Sequence, residues 1–444
     1  MKKAIVFIFN NSWGEIDFIL PIMRDISVKK TYTLITIFDK QHLYDARDGY
    51  RDSFYFLEKY SSHIFFPKMF RGDFKHDIIV VFNTLNFSLM TIKNLTKLFF
   101  NLFFSANFSL ISSHNQHRNG IVKTIKKLFQ TKYIICSDPW GDFVDFIDYF
   151  PEAKFILYPH ALKPPSKLMI QTQNRLIENN EKKQKEKFSP MSKYPLGTVF
   201  FSSHKENVEI WKSYCPKNIN IVPIGYSRLQ DVWVDEIKRI SNYSKNKRKS
   251  LKNILLLNAK EWYVGVNELT KKVRSIFDIA RKYSLSVYYK PHPRSNVILN
   301  DSEGNVFSIH DIIIDYNDVN IIEVNDSVMT SALNVDLAVL TYRSSSALDC
   351  IMVGTPVIEY FRYNNGIFDS MLREFEIDGK KTGIYRYYGL VYPIDEEDDF
   401  QRFIAEVNDN PHKLEEISKA QRVALDKINY NYGKVFDTAL QYID

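Results

Sequence analysis

Short apolar runs of strand length recur along this chain, separated by amphipathic stretches of helical length. That alternation constrains the fold more than any other feature, because buried strands joined by crossover helices make parallel sheets covered on both faces. The runs fall at residues 4–9, 33–38, 77–82, 133–137, 155–158 and 199–202 in the first half, and at 219–224, 253–258, 286–289, 321–324, 337–340 and 356–360 in the second. A polar, charge-dense stretch with two prolines, residues 171–197, reads as the join between halves. The expected fold is α/β: two Rossmann-like domains, residues 1–195 and 196–410, facing across a cleft. Residues 411–444 then form C-terminal helices that pack back on the first domain.

A chain of 444 residues has room for two or three domains. With 25% charged and 45% hydrophobic residues it is neither a disordered chain nor a membrane-embedded bundle. The net charge of +7 is spread along the chain, so nucleic acid is not an expected partner. Cys136, Cys215 and Cys350 are odd in number and far apart, which argues against a disulfide framework and against zinc, and fits a reducing compartment. The opening MKKAIVFIFNN has too short an apolar run for a secretion signal and reads as the first strand, so the expected location is the cytoplasm. Residues 87–111 are rich in Phe and Leu but carry Lys93, Asn94, Lys97 and Asn101. Three readings stand there: a surface helix packed on the first sheet, a helix lying in the inner membrane interface, or a buried span.

Ligands of open α/β sheets bind beyond the carboxyl ends of the strands, so the loops after strands hold the candidate chemistry. In VDLAVLTYRSSSALDCIMVGTPVIEYF, residues 335–361, a strand leads through a hydroxyl-rich turn into a short helix. Ser344, Ser345 and Ser346 at its start can offer backbone N–H groups to a phosphate, beside Arg343, or can simply cap the helix. Asp349, one turn on, can accept both hydroxyls of a ribose or stand as a solvated acid. In SVYYKPHPRSN, two prolines flank His292 and stiffen its loop, where the imidazole, Lys290 and Arg294 can face phosphate oxygens. Candidate bases for an incoming hydroxyl are His160, then Asp138 and Asp142 in SDPWGDF, and Glu15 and Asp17 in WGEIDF. Each acid is equally readable as a first-turn or capping charge. Trp13 in that first loop either stacks on an acceptor sugar or covers the apolar end of the sheet.

Four blocks in order, across residues 155–361, resemble GT-B glycosyltransferases. The likeness extends to bacterial surface-polymer transferases such as the CDP-glycerol glycerophosphotransferases and the CMP-Kdo and CMP-sialic acid transferases. YPHALKPPSKL is similar to the family's His-Gly block, IVPIGYSRLQDVW to its G-Y-P-R-x-D turn, KPHPR to its His-Pro motif and TYRSSSALD to its D-Y-S-S block. The spacing SALDCIMVGTPVI resembles the E-x4-G-x-P-V element, with Asp349 in the place of a ribose-binding glutamate. Departures are Ala161 for Gly, Ser227 for Pro with an extra residue before Asp231, and Thr341 for Asp with Arg343 inserted.

The resemblance implies a nucleotide-sugar-dependent transferase. Its first domain would hold a glycan or lipid-linked acceptor, and its second a cytidine or uridine nucleotide donor, for capsule, lipopolysaccharide or similar polymer. His292 and the serines would hold the donor phosphate, Arg228 would assist, and His160 would sit across the cleft. No convincing Asp-x-Asp loop appears, so the expected chemistry needs no metal and no cofactor beyond the donor. Three alternatives share the scaffold: a CDP-polyol phosphotransferase, a nucleotide-sugar epimerase, and a non-catalytic polysaccharide-assembly protein.

Overall fold

Lys2–Phe9 (β1) is apolar from Ala4 onward, and every residue from Ala4 to Phe9 is fully buried, as expected for a central strand covered on both faces. A computed structural model describes residues 1–10, 13–29, 31–66, 114–137, 143–158, 192–241, 250–258, 266–291, 298–300, 306–363 and 375–443. Among these, β1 is joined in one parallel sheet by β2 (Thr33–Phe38), β3 (His63–Phe65), β4 (Phe129–Cys136), β5 (Lys154–Leu157), β6 (Thr198–Ser202) and β7 (Ile219–Pro223). The strand order is β3-β2-β1-β4-β5-β6-β7.

The second parallel sheet contains β8 (Asn253–Leu257), β9 (Ser286–Lys290), β12 (Ile321–Glu323), β13 (Leu337–Leu340), β14 (Val357–Tyr360) and β17 (Tyr392–Ile394). Its order is β12-β9-β8-β13-β14-β17. Two small antiparallel pairs, β10 (Ile298–Asn300) with β11 (Val306–Ser308) and β15 (Glu376–Ile377) with β16 (Lys380–Lys381), lie outside both sheets.

The boundary at 195/196 is corrected by this topology. Strands β6 and β7 extend the first sheet, so the passage between sheets lies between Pro223 and Asn253. Residues 171–197 look like a linker because they are charged, yet Thr198–Ser202 after them is buried beside β5. The segment 77–82 lies outside the described residues, as does 87–111.

The helices that shape the cleft are α1 (Trp13–Lys29), α2 (Arg51–Tyr60), α3 (Asp231–Ile240), α4 (Val328–Leu333), α5 (Ser346–Met352), α6 (His412–Ile428) and α7 (Val435–Leu440). Helix α6 belongs to the second domain, where the Gln421 side chain donates to the Val357 carbonyl at 2.6 Å and accepts from its N–H at 2.9 Å. The chain then returns to the first domain: Asn431 donates to the Ile224 carbonyl at 2.9 Å, and α7 packs on α1. Gly225 permits that return. Its φ of +102° suits glycine alone, and a Cβ there would collide with the Tyr430 carbonyl oxygen. Among the described residues no helix is long and apolar enough to cross a membrane.

Candidate functional site between the sheets

Both sheets switch winding direction once. In the first, the chain runs outward from β1 to β3 and resumes on the other side of β1 with β4; in the second it leaves β8 for β9 and β12 and resumes beside β8 with β13. Such switch points open a crevice at the carboxyl ends of the strands. Here the crevices meet, because cross-domain contacts arise from segments that follow strands: Asp17 after β1, Asp52 after β2 and Arg228 after β7 on one side, with Lys290 ending β9, Ser327 after β12 and Asp349 after β13 on the other.

Asp52, in the first turn of α2, is the best-satisfied of these groups. Its Oδ1 accepts from the N–H of Ser53 at 2.8 Å and of Ser327 at 2.7 Å, and its Oδ2 accepts from the Thr330 hydroxyl at 2.6 Å. A carboxylate of the first domain thus shares the capping of α4 in the second with Ser327, whose hydroxyl accepts from the Thr330 N–H. Nearby, the Arg51 N–H donates to the Asn325 carbonyl at 3.1 Å. Replacing Asp52 by Ala leaves buried donors unpaired on both domains, so the expected cost is about 2–3 kcal/mol, read as a lower urea midpoint. An unchanged midpoint would show that this contact does not hold the domains together.

Arg228, in the short helical turn Ser227–Leu229, reaches Asp349 on α5 across the cleft, Nε to Oδ1 at 2.8 Å. Asp349 is buried and Arg228 half-buried, and neither Nε nor Oδ1 has an aligned hydrogen-bond partner, so they meet as charges rather than as a directed bond. Asp17 lines the same small cavity and accepts from the Ser53 hydroxyl at 2.6 Å. Desolvation raises Asp349 to about 7 and Asp17 to about 6, against the lowering pull of Arg228 on each.

Several expected site residues occupy other roles. Lys290 is 5% exposed, donates to the Asp326 carbonyl and lies over the Tyr50 ring at 5.1 Å; burial pushes its pKa down. It is an interdomain residue as placed, not a phosphate ligand. Asp349 is likewise no solvated acid, and Arg228 is spent on it. Glu15 is fully buried and accepts from the Asn10 N–H at 3.4 Å. Trp13 covers the end of the sheet: it is 2% exposed, stacks on Tyr50 at 5.1 Å and donates to the Leu43 carbonyl. The three cysteines are free thiols, two of them buried.

The serine turn stands at the switch point of the second sheet, directly after β13. Arg343, Ser344, Ser345 and Ser346 are half-buried there, and the Ser344 hydroxyl oxygen accepts from the Ser346 N–H at 3.2 Å. Ser345 flanks the helix start without a side-chain capping bond. His160, Asp138, Asp142, His292 and Arg294 lie outside the described residues. Sequence reasoning missed Asp52, Ser327 and Thr330, whose local signals are those of ordinary first-turn and capping residues.

No protein-family model matches the chain, and no curated protein matches it. Solved structures do. A Listeria monocytogenes protein assigned as a UDP-N-acetylglucosamine 2-epimerase matches 100% of this chain and 96% of its own at 10% identity and a TM-score of 0.51. The S. aureus protein MnaA, solved with UDP, matches 100% and 96% at 11% identity and a TM-score of 0.53. Spinosyn forosaminyltransferase SpnP matches over 100% of both chains at 8% identity and a TM-score of 0.48. At these identities the likeness is one of fold, and the fold is GT-B: two parallel-sheet α/β domains.

Proposed function

We propose that this protein is a nucleotide-sugar-dependent glycosyltransferase, taking a sugar from a cytidine or uridine nucleotide to a surface-glycan acceptor. One observation carries the reading. The hydroxyl-rich turn 341–345 stands at the switch point of the second sheet, at the mouth of a crevice that the carboxyl-end loops of the first sheet also reach. A departing nucleotide phosphate needs its charge neutralised, and we assign that task to His292, Arg294, Arg343 and the serines, with no metal. His160 is assigned as the base for the incoming hydroxyl, with Asp138 and Asp142 as the other candidates. A peripheral contact of this protein with the inner membrane face, close to a lipid-linked acceptor, belongs to the same reading.

The test is saturation-transfer NMR with CMP, CDP, UMP, UDP and GDP on the native chain and on the Ser345→Ala and His292→Ala variants. The expected result is pyrimidine-nucleotide binding weakened about tenfold or more in His292→Ala and about threefold to tenfold in Ser345→Ala. Cytidine selectivity would favour surface-polymer chemistry of the CMP-sugar or CDP-polyol kind, and uridine selectivity a UDP-sugar. No nucleotide binding at all would overturn the reading in favour of a non-catalytic assembly role.

A second reading, a nucleotide-sugar epimerase, uses the same donor site, and a protein assigned that activity shares this fold. Incubating the donor without acceptor separates the two, since an epimerase converts the sugar nucleotide alone.

A further inference from the structure

Contacts between the domains are of two qualities. Asp52 is saturated with aligned donors from both sides of the cleft. Arg228 and Asp349 are the opposite: their Nε and Oδ1 atoms are buried 2.8 Å apart without a directional bond, and Asp17 adds a second carboxylate on the same cavity. A buried ion pair repays its desolvation only when its geometry is good and its remaining lone pairs and protons are satisfied. This one fails the first, its Nε and Oδ1 being close but unaligned, whereas the neighbouring Asp52 carboxylate accepts aligned bonds on both oxygens. The interface is therefore fixed at one point and poised to release at another.

We propose that Arg228 is a built-in competitor for Asp349, holding from across the cleft the carboxylate that the ribose diol of a nucleotide would take, so that nucleotide and Arg228 exclude one another. The inference rests on the nucleotide reading above and adds the residue that sets ribose affinity. Two features of the geometry support it. Asp349 lies one helical turn beyond the serine turn, so a phosphate at Ser344–Ser346 and a ribose at Asp349 would belong to one ligand. Arg228 lies on the other domain, in a turn whose Ser227 hydroxyl is anchored to the Phe18 carbonyl at 2.5 Å, so withdrawing its guanidinium separates the cleft walls locally. The other charged group facing this contact is Asp17 from α1, which itself lies within the field of Asp52 from α2 and Lys290 from β9. Burial raises the pKa of both Asp17 and Asp349, which makes the ionised, paired arrangement costly to keep.

The experiment uses the full chain with Arg228→Gln, Arg228→Lys and Asp349→Asn, two of which are near-isosteric or charge-preserving and keep the cavity filled. Binding of CMP and UMP is compared with that of their 2′-deoxy forms, and amide hydrogen exchange of residues 346–352 is followed without ligand. The expected results for Arg228→Gln are ribonucleotide binding about fivefold tighter, deoxynucleotide binding unchanged, and faster exchange in α5. Arg228→Lys should fall between it and the native chain. Asp349→Asn should bind ribo and deoxy forms alike. Nucleotide binding by the native chain with equal or weaker ribonucleotide affinity in Arg228→Gln would overturn the competitor role and leave the nucleotide reading standing. Absence of binding in all four proteins would overturn both.

Discussion

Replacing Arg386 by Ala is expected to cost about 3–5 kcal/mol, a larger loss of stability than removing the Asp52 carboxylate brings. The Arg386 guanidinium is 7% exposed and pairs with Glu359, which is fully buried, Nε to Oε2 at 2.6 Å. It also donates to the carbonyls of Glu359, Phe361 and Ile394 and to Asp395, while Tyr363 donates to the second oxygen of Glu359 at 2.8 Å. These bonds tie the carboxyl ends of β14 and β17 together. Burial raises Glu359, and Arg386 opposes that rise; without the guanidinium the buried acid keeps only the Tyr363 hydroxyl, and the Glu359 and Phe361 carbonyls lose a charged donor. Urea unfolding followed by circular dichroism measures the loss. A variant within about 1 kcal/mol of the native chain would show that the surrounding strands close without the arginine. The double change Arg386→Met with Glu359→Leu should recover part of the cost, because removing both partners leaves no stranded charge.

The second large effect is a stability that declines as pH rises. Burial, which disfavours the charged form, pushes the Asp349 carboxyl up to about 7 and the Asp17 carboxyl up to about 6 from an ordinary 3.8, with Arg228 opposing both rises. Between about pH 4 and pH 7 the folded state therefore binds more protons than the unfolded one, so each step upward in pH removes stability, and the loss levels off above both values. His63 and His204, lowered by burial, push the other way near neutrality, so the informative quantity is a difference between proteins. Urea midpoints at pH 5 and pH 8 are expected to fall further for the native chain than for Asp349→Asn. Equal declines would place the proton elsewhere.

Much of this architecture is legible in the sequence, for a physical reason. Strands buried on both faces must be apolar throughout, and residues 4–9, 253–257 and 337–340 therefore announce themselves. β3 and β17, of three residues each, do not stand out as runs of their own. Which sheet a strand joins is not written in its own residues. β6 and β7 follow a charged stretch and read as a new beginning, yet they pair onto β5. The candidate site divides likewise. The serine turn and its place after a strand follow from local chemistry, whereas Asp52 with Ser327, and Arg228 with Asp349, are partnerships between residues far apart in the chain. Each member alone carries the signature of a common surface or capping residue. Asp349 illustrates the limit: its position relative to the strand is readable, and the guanidinium that buries it is not.

The return of the chain to its first domain at α7 has a mechanical consequence. The polypeptide passes between the domains twice, once between Pro223 and Asn253 and again between Ile428 and Val435. A single tether would let one lobe swivel freely, whereas two tethers resist twist of one lobe against the other. The second passage runs against Gly225, which precedes the first-domain turn that carries Arg228. Whatever parts the lobes must strain both passages at once.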